Sequence, residues 1–177
     1  MRRTSDPPGA SHPVEHDDGS SMSTLPAPRL RHVYRLDADV GVPVDLGGTA
    51  QGHRRIIALT GGRVTGPYFT AQLLPGSAAD WQLIRPNGSS VADIRYTLRT
   101  PAGALLYVQA DGVRHGTPAV LARLAAGADV DPSEYTFRTS VRIETADAEL
   151  AWLNDGVFIA VGGRRPDGVS YDVYVVE

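Results

Sequence analysis

From Arg31 onward, hydrophobic and polar residues alternate with a period close to two, the spacing that sends successive side chains to opposite faces of a β-strand. The clearest case is residues 91–99, where Ala92, Ile94, Tyr96 and Leu98 fall on one face and Asp93, Arg95, Thr97 and Arg99 on the other. Pro101-Ala102-Gly103 turns the chain, and residues 104–110 return as a second strand ended by Asp111-Gly112. Tyr135, Phe137, Thr139, Val141 and Ile143 share another face, opposite Arg138, Ser140 and Arg142. Weaker strands are expected at 31–36, at 54–60 (ended by Gly61-Gly62), at 64–74 (broken by Gly66-Pro67 and closed by Pro75-Gly76) and at 81–85. A last pair, 157–161 and 169–176, flanks Arg165-Pro166-Asp167-Gly168. These punctuating residues act by known means: Asn and Gly tolerate positive φ, and Pro presets φ for a turn, as in Pro86-Asn87-Gly88. Short strands with turns every ~8–12 residues predict an antiparallel sandwich or barrel.

One helix interrupts this pattern. Thr117 can cap it, Pro118 suits its first position, residues 119–126 are good helix formers and Gly127 stops it. Val120, Leu121 and Leu124 form its apolar stripe, and a helix this short needs the sheet for support. Residues 148–153 read as a second, single helical turn.

Residues 1–28 depart from the pattern, with five prolines in a Ser/Asp/Gly background and almost no large apolar side chain. Such a segment buries too little to offset the entropy of ordering it, and a disordered tail is expected, followed by one domain at 29–177. Met22 stands just before the ordered-looking region, which makes residues 1–21 a candidate for a misassigned start, and His12 and His16 are then solvated tail residues.

Composition narrows the chemistry. The 177 residues carry a net charge of −3 and contain no Cys. All 17 basic residues are Arg. Disulfides, thiolate nucleophiles, Cys-ligated metals, Schiff-base lysines and a phosphate-loop lysine are therefore excluded. No clustered basic face suggests nucleic acid. No apolar run approaches the ~18 residues of a membrane span, and Arg2-Arg3 is not followed by an apolar signal segment, so a cytoplasmic protein is expected. His32, His53 and His115 lack metal-ligand spacing, and no metal or cofactor is expected.

Three polar-aromatic spots remain. Asp80-Trp81 offers a carboxylate beside an indole, either a general base whose pKa burial would raise or a capping Asp next to a core Trp. Asp93 and Arg95, with Arg138 from a later strand, form either a solvated outer ion pair or an enclosed site for an anionic or carbonyl oxygen. Trp152 and Asn154 supply a pocket floor and a two-way hydrogen-bonding group, or simply a turn with a buried Trp. Tyr107 and Tyr135 can add phenols to such a cavity or stand half-buried on their strands.

The run Gly52-His53-Arg54-Arg55, Thr60-Gly61-Gly62-Arg63-Val64-Thr65-Gly66-Pro67 and Leu74-Pro75-Gly76-Ser77-Ala78-Ala79-Asp80-Trp81 resembles the DUF3237 (UPF0311) family. The likeness continues through Asp93-Ile94-Arg95-Tyr96, Tyr135-Thr136-Phe137-Arg138-Thr139 and Ala151-Trp152-Leu153-Asn154, and spans residues 30–177. Ser77 stands where the family usually has Gly, and the inserted Thr136 turns Arg138 toward the opposite face of its strand. The resemblance implies an all-β fold, a lipocalin-like antiparallel β-barrel with one short helix. It also implies a link to isomerase or cyclase steps on aromatic small molecules.

The resulting expectation is a barrel that binds a small molecule, with cofactor-independent isomerisation or cyclisation of an aromatic or polyketide-like carbonyl compound as its chemistry. Asp80 would be the base and Arg95 and Asn154 would polarise an oxygen. Trp81, Asp93, Tyr107, Tyr135, Arg138 and Trp152 would line the site. A non-catalytic carrier or sensor and a solidly packed barrel are the alternatives. Homodimerisation through exposed strand edges is a further expectation.

Overall fold

A computed structural model describes residues 25–177. Most of the expected tail, with His12, His16 and Met22, lies outside the described residues. The strands are β1 (Leu30–Val40), β2 (Val44–Thr49), β3 (Gly52–Thr65), β4 (Thr70–Leu73), β5 (Ala79–Asp80), β6 (Leu83–Ile84), β7 (Ser90–Arg99), β8 (Leu105–His115), β9 (Thr136–Thr145), β10 (Phe158–Arg165) and β11 (Gly168–Val176). Helix α1 spans Pro118–Ala125. All pairings are antiparallel, in the order β1-β11-β10-β9-β8-β7-β4-β3, and β3 pairs back onto β1. The short strands β5 and β6 continue the place of β4 between β3 and β7. The result is a closed antiparallel barrel of eight strand positions, with β2 folded back on β3 as an outer flap.

The alternation of the sequence becomes the inside and outside of this barrel. On β7, Ala92, Ile94, Tyr96 and Leu98 are at most 2% exposed, and the intervening residues face outward. On β9, Phe137, Thr139, Val141 and Ile143 point in. Expected turns form at Pro86-Asn87-Gly88 and Pro101-Ala102-Gly103, where Gly88 and Gly103 take φ of 81° and 93°. The predicted helix forms as well: Thr117 accepts a hydrogen bond from the Val120 backbone N–H, and Val120 and Leu124 are buried against the barrel.

Two expected strand ends do not occur. The strand 54–60 does not stop at Gly61-Gly62, and the strand 104–110 does not stop at Asp111-Gly112; both continue as the long strands β3 and β8. In each case the glycine serves close approach inside a curved strand rather than a turn. A Cβ on Gly112 would collide with the Arg138 backbone of β9, and one on Gly62 would sit 2.6 Å from the Asp37 carbonyl oxygen of β1.

The interior has two unlike ends. At one, Leu98, Leu106, Ile143, Leu153 and Phe158 are all at most 1% exposed, and a 3₁₀ turn at Ala151–Asn154 closes the opening with Leu153 as plug. In the middle, the Tyr34 and Tyr96 hydroxyls hydrogen-bond at 3.1 Å. Burial pushes the Tyr96 phenol up to about 12 and Tyr34 well above its usual range, so both stay neutral. The other end is polar.

Candidate functional site

At the polar end a cavity of about 300 Å³ opens to solvent between the loop at 40–43, the end of α1 and the turn at Pro166-Asp167. Its floor is apolar, with Ile57, Ile94 and Phe137, and its polar groups are Asp80, Gln82, Arg55, Arg114, Arg164 and Tyr171. Room for it comes partly from Gly162. A Cβ there would collide with the Phe137 ring and lie 2.9 Å from Tyr171 Cε1, and these two rings meet edge-on with centroids 5.4 Å apart.

Asp80 points inward because β5 is wedged between β3 and β7, where Asp80 stands opposite Ile57 on one side and Ile94 on the other. Gln82, two residues on, shares its face. One Asp80 oxygen accepts from the Asp93 backbone N–H at 3.1 Å and the other from Gln82 Nε2 at 3.1 Å. The Gln82 amide is oriented without ambiguity. Arg55 Nη2 has only protons to offer, so it donates to Gln82 Oε1, leaving the NH₂ group for Asp80. Burial is the largest influence on Asp80 and raises its carboxyl to about 6, against the lowering effect of its two donors and the Arg114 charge. The carboxylate is thus placed, hydrogen-bonded and close to neutral pH in its proton affinity, which suits a general base.

Three guanidinium groups surround it without forming an ion pair to it. Arg114, at 9% exposure, ends the inward face of β8, and its Nη2 donates to Ser90 Oγ at 3.1 Å. Arg164 lies on β10, its backbone N–H fixed by donating to the Tyr135 hydroxyl at 2.7 Å. Burial, together with neighbouring arginines, holds both below the usual guanidinium range. The Nε atoms of Arg55 and Arg114 are buried with no hydrogen-bond partner among the described residues. Tyr171 lies across the cavity, and burial, reinforced by the Asp80 charge, keeps its phenol protonated as a donor. Among the described residues no three His, Asp or Glu side chains come together to hold a metal ion. His53 pairs with Asp45 at 2.7 Å on the outside, and His32 lies 3.5 Å from Asp172. No helix of the described residues is long and apolar enough to cross a membrane.

Residues 28–176 match DUF3237, a family described as proteins of unknown function. The chain belongs to the DUF3237 family. It is 39% identical to the UPF0311 protein of Bradyrhizobium diazoefficiens over 146 residues, which is 82% of this chain and 95% of that protein. It is similar to the crystal structure of a conserved protein of unknown function from Rhodopseudomonas palustris, with a TM-score of 0.81, 35% identity and coverage of 87% of this chain and 100% of that one. A β-barrel-like protein from Acinetobacter baumannii aligns with a TM-score of 0.76 at 36% identity, over 88% of this chain and 99% of that one.

Of the residues singled out from the sequence of this DUF3237 protein, Asp80 lines the cavity and Tyr135 supports it from behind Arg164. The side chains of the others do not join them, although the Asp93 backbone N–H holds Asp80. Asp93 and Arg95 form a half-exposed ion pair at 2.9 Å on the outer face of β7, and the Arg95 guanidinium lies 5.5 Å from the ring centre of Trp81, also outside. The parity of the strand decides this: Ile94 takes the inward position between them. Arg138 points outward and donates to the Phe137 carbonyl at 2.9 Å. Tyr107 faces outward on β8, opposite Glu144. Trp152 and Asn154 sit at the opposite, closed end. There Trp152 packs edge-on to Tyr68 at 5.4 Å, and Asn154 holds the Thr145 backbone by two hydrogen bonds of 2.8 and 3.0 Å. The expected indole walls are therefore replaced by Phe137 and Tyr171.

Gln82, Arg55, Arg114, Arg164 and Tyr171 were not legible as a group. Gln82 was reachable by adding two to Asp80. Arg114 was reachable by extending the face Leu106, Val108, Ala110 through Gly112, a step that reading Asp111-Gly112 as a turn forbids.

Proposed function

We propose that this protein binds a small oxygen-bearing organic molecule in the polar cavity, and that Asp80 is the general base of a cofactor-independent isomerisation or cyclisation of an aromatic or polyketide-like carbonyl compound. The observation that supports this reading best is a buried carboxylate, fixed by two donors and raised to about 6, in a cavity that also presents guanidinium and phenol donors.

The chemistry follows from those groups. The Asp80 carboxylate removes a proton from the carbon next to the ligand carbonyl. The C–H electron pair moves into the adjacent C–C bond and the carbonyl π pair onto oxygen, where the Tyr171 hydroxyl can donate and the surrounding guanidinium charges favour the developing negative charge. The neutral Asp80 acid then returns the proton, to another carbon for an isomerase or to the group formed when the enolate closes a ring. Atoms and electrons balance within the ligand. Arg55 acts as a positioning residue, since it orients the Gln82 amide that holds Asp80.

Incubation in D₂O with phenolic and polyketide-like carbonyl compounds tests this. The expected result is protein-dependent deuterium uptake at the carbon next to the carbonyl, or a product of unchanged composition, falling at least ~10²-fold in Asp80→Asn. A compound that binds yet shows neither exchange nor conversion would favour the carrier reading. Exchange that persists in Asp80→Asn would remove Asp80 as the base.

A further inference from the structure

The charges lining the cavity do not balance. Arg55, Arg114 and Arg164 bring three cations, against which Asp80 is the one buried carboxylate; Asp167 stands exposed at the mouth, where water screens it. The three arginines are also poor in partners. Arg55 is engaged with Gln82 but leaves its Nε unpaired. Arg114, nine-tenths buried, makes one side-chain hydrogen bond, to Ser90, and its Nε has none. Arg164 makes no side-chain hydrogen bond or ion pair among the described residues, although its backbone is fixed by Tyr135. A guanidinium offers five N–H donors, and burying one without an acceptor or a counter-charge is costly. Elsewhere, arginines either pair with carboxylates, as Arg31 does with Glu177, Arg35 with Asp37 and Asp172, Arg95 with Asp93, and Arg123 with Glu134, or, like Arg63, Arg85, Arg99 and Arg142, stand exposed to water. What sets Arg55, Arg114 and Arg164 apart is that they gather around one cavity, shielded from bulk water, with no carboxylate partner among the described residues.

We infer that the ligand is a small organic acid whose carboxylate is received by Arg114 and Arg164, with the reacting carbon turned toward Asp80. The two arginines stand on β8 and β10, the strands that flank β9, and line one cavity with Phe137 of β9, so an aromatic body resting on Phe137 would present its carboxylate to both. A bidentate guanidinium–carboxylate contact would satisfy the open donors and supply the missing negative charge. This inference rests on the cavity being the ligand site, as proposed above, but not on any turnover.

Matched pairs of acid and neutral amide test it on the full chain: benzoate with benzamide, 4-hydroxybenzoate with 4-hydroxybenzamide, and inorganic phosphate as a generic anion. Thermal shift and titration calorimetry should show the carboxylates binding at least about tenfold tighter than their amides. The preference should weaken by about the same factor in Arg164→Gln and Arg114→Gln. Because Arg114 is buried and its variant can fail to fold, the acid–amide comparison on the unsubstituted protein and on Arg164→Gln carries the decision. Equal binding of acids and amides, an unchanged preference in Arg164→Gln, or binding of phosphate alone would overturn the inference. Each of those outcomes would leave the role of Asp80 standing. Acid-selective binding without deuterium exchange would do the reverse, removing the catalytic reading and keeping the anion site.

Discussion

The two halves of the barrel interior are built from the same alternating strands and yet do opposite things. The closed half is filled by the apolar side chains of Leu98, Leu106, Ile143, Leu153 and Phe158; the open half places Arg114 and Arg164 on the same inward faces of β8 and β10, a few residues further along, beside Asp80 of β5. On β8 a single face runs Leu106, Val108, Ala110, Gly112, Arg114, from core to site. The fold is thus secured at one end, where burial of apolar surface is complete, and the other end carries charges that burial penalises. A stable half and a strained half within one barrel is the arrangement expected when function is bought with stability.

The comparison predicts opposite responses to substitution. In the closed half, Leu153→Ala removes the plug of the barrel floor and should destabilise the protein by about 2–5 kcal/mol, measured by urea unfolding. In the open half, Asp80→Asn should stabilise it. The Asp80 pKa is raised from 3.8 to about 6 in the folded state, so folding disfavours its ionised form. The penalty is absent below pH ~4, grows between the two values and is full above pH ~7, at roughly 3 kcal/mol for a shift of this size. Asn meets only one of the two donors that Asp80 serves, so a gain of about 1–3 kcal/mol at pH 7.5 is expected, falling by roughly 3 kcal/mol on going to pH ~4, where the substitution is neutral or destabilising. A loss at pH 7.5 would mean that the carboxylate is structural. Gly162→Ala should cost about 1–3 kcal/mol by forcing Phe137 and Tyr171 apart, and should also reduce binding in the cavity. The smallest effect belongs to the outer wall: Arg95→Ala breaks an exposed ion pair and should change stability by under ~1 kcal/mol and ligand binding not at all.

How much of this was legible in the sequence follows the same division. The all-β class, the inward face of β7 and β9, the hairpin turns and the cap of α1 all follow from local rules, because parity, turn chemistry and capping are properties of neighbours along the chain; the choice of a barrel over a sandwich rests on the resemblance to the DUF3237 family. Asp80 was legible as a candidate base by residue type alone. The rest of the site was not, since it depends on which strands close beside β5 and on where the inward face of β8 and β10 ends. Arg95 illustrates the failure: its type suited the chemistry, but its parity next to Ile94 put it outside. Trp152 and Asn154 failed for another reason, being at the right depth in the sequence pattern but at the wrong end of the barrel. The glycines misled in a third way, because Gly62 and Gly112 read as stops when they are points of close strand contact.

The most direct test is the titration of the Asp80 carboxyl carbon by NMR in the unliganded protein, with Asp80→Asn used to assign the resonance. A midpoint near pH 6 is expected for a carboxylate buried in a polar cavity and held ready to accept a proton. A midpoint at or below pH 4 would show an ordinary, water-exposed or ion-paired aspartate, and the account of a strained, functional half of the barrel would fail with it.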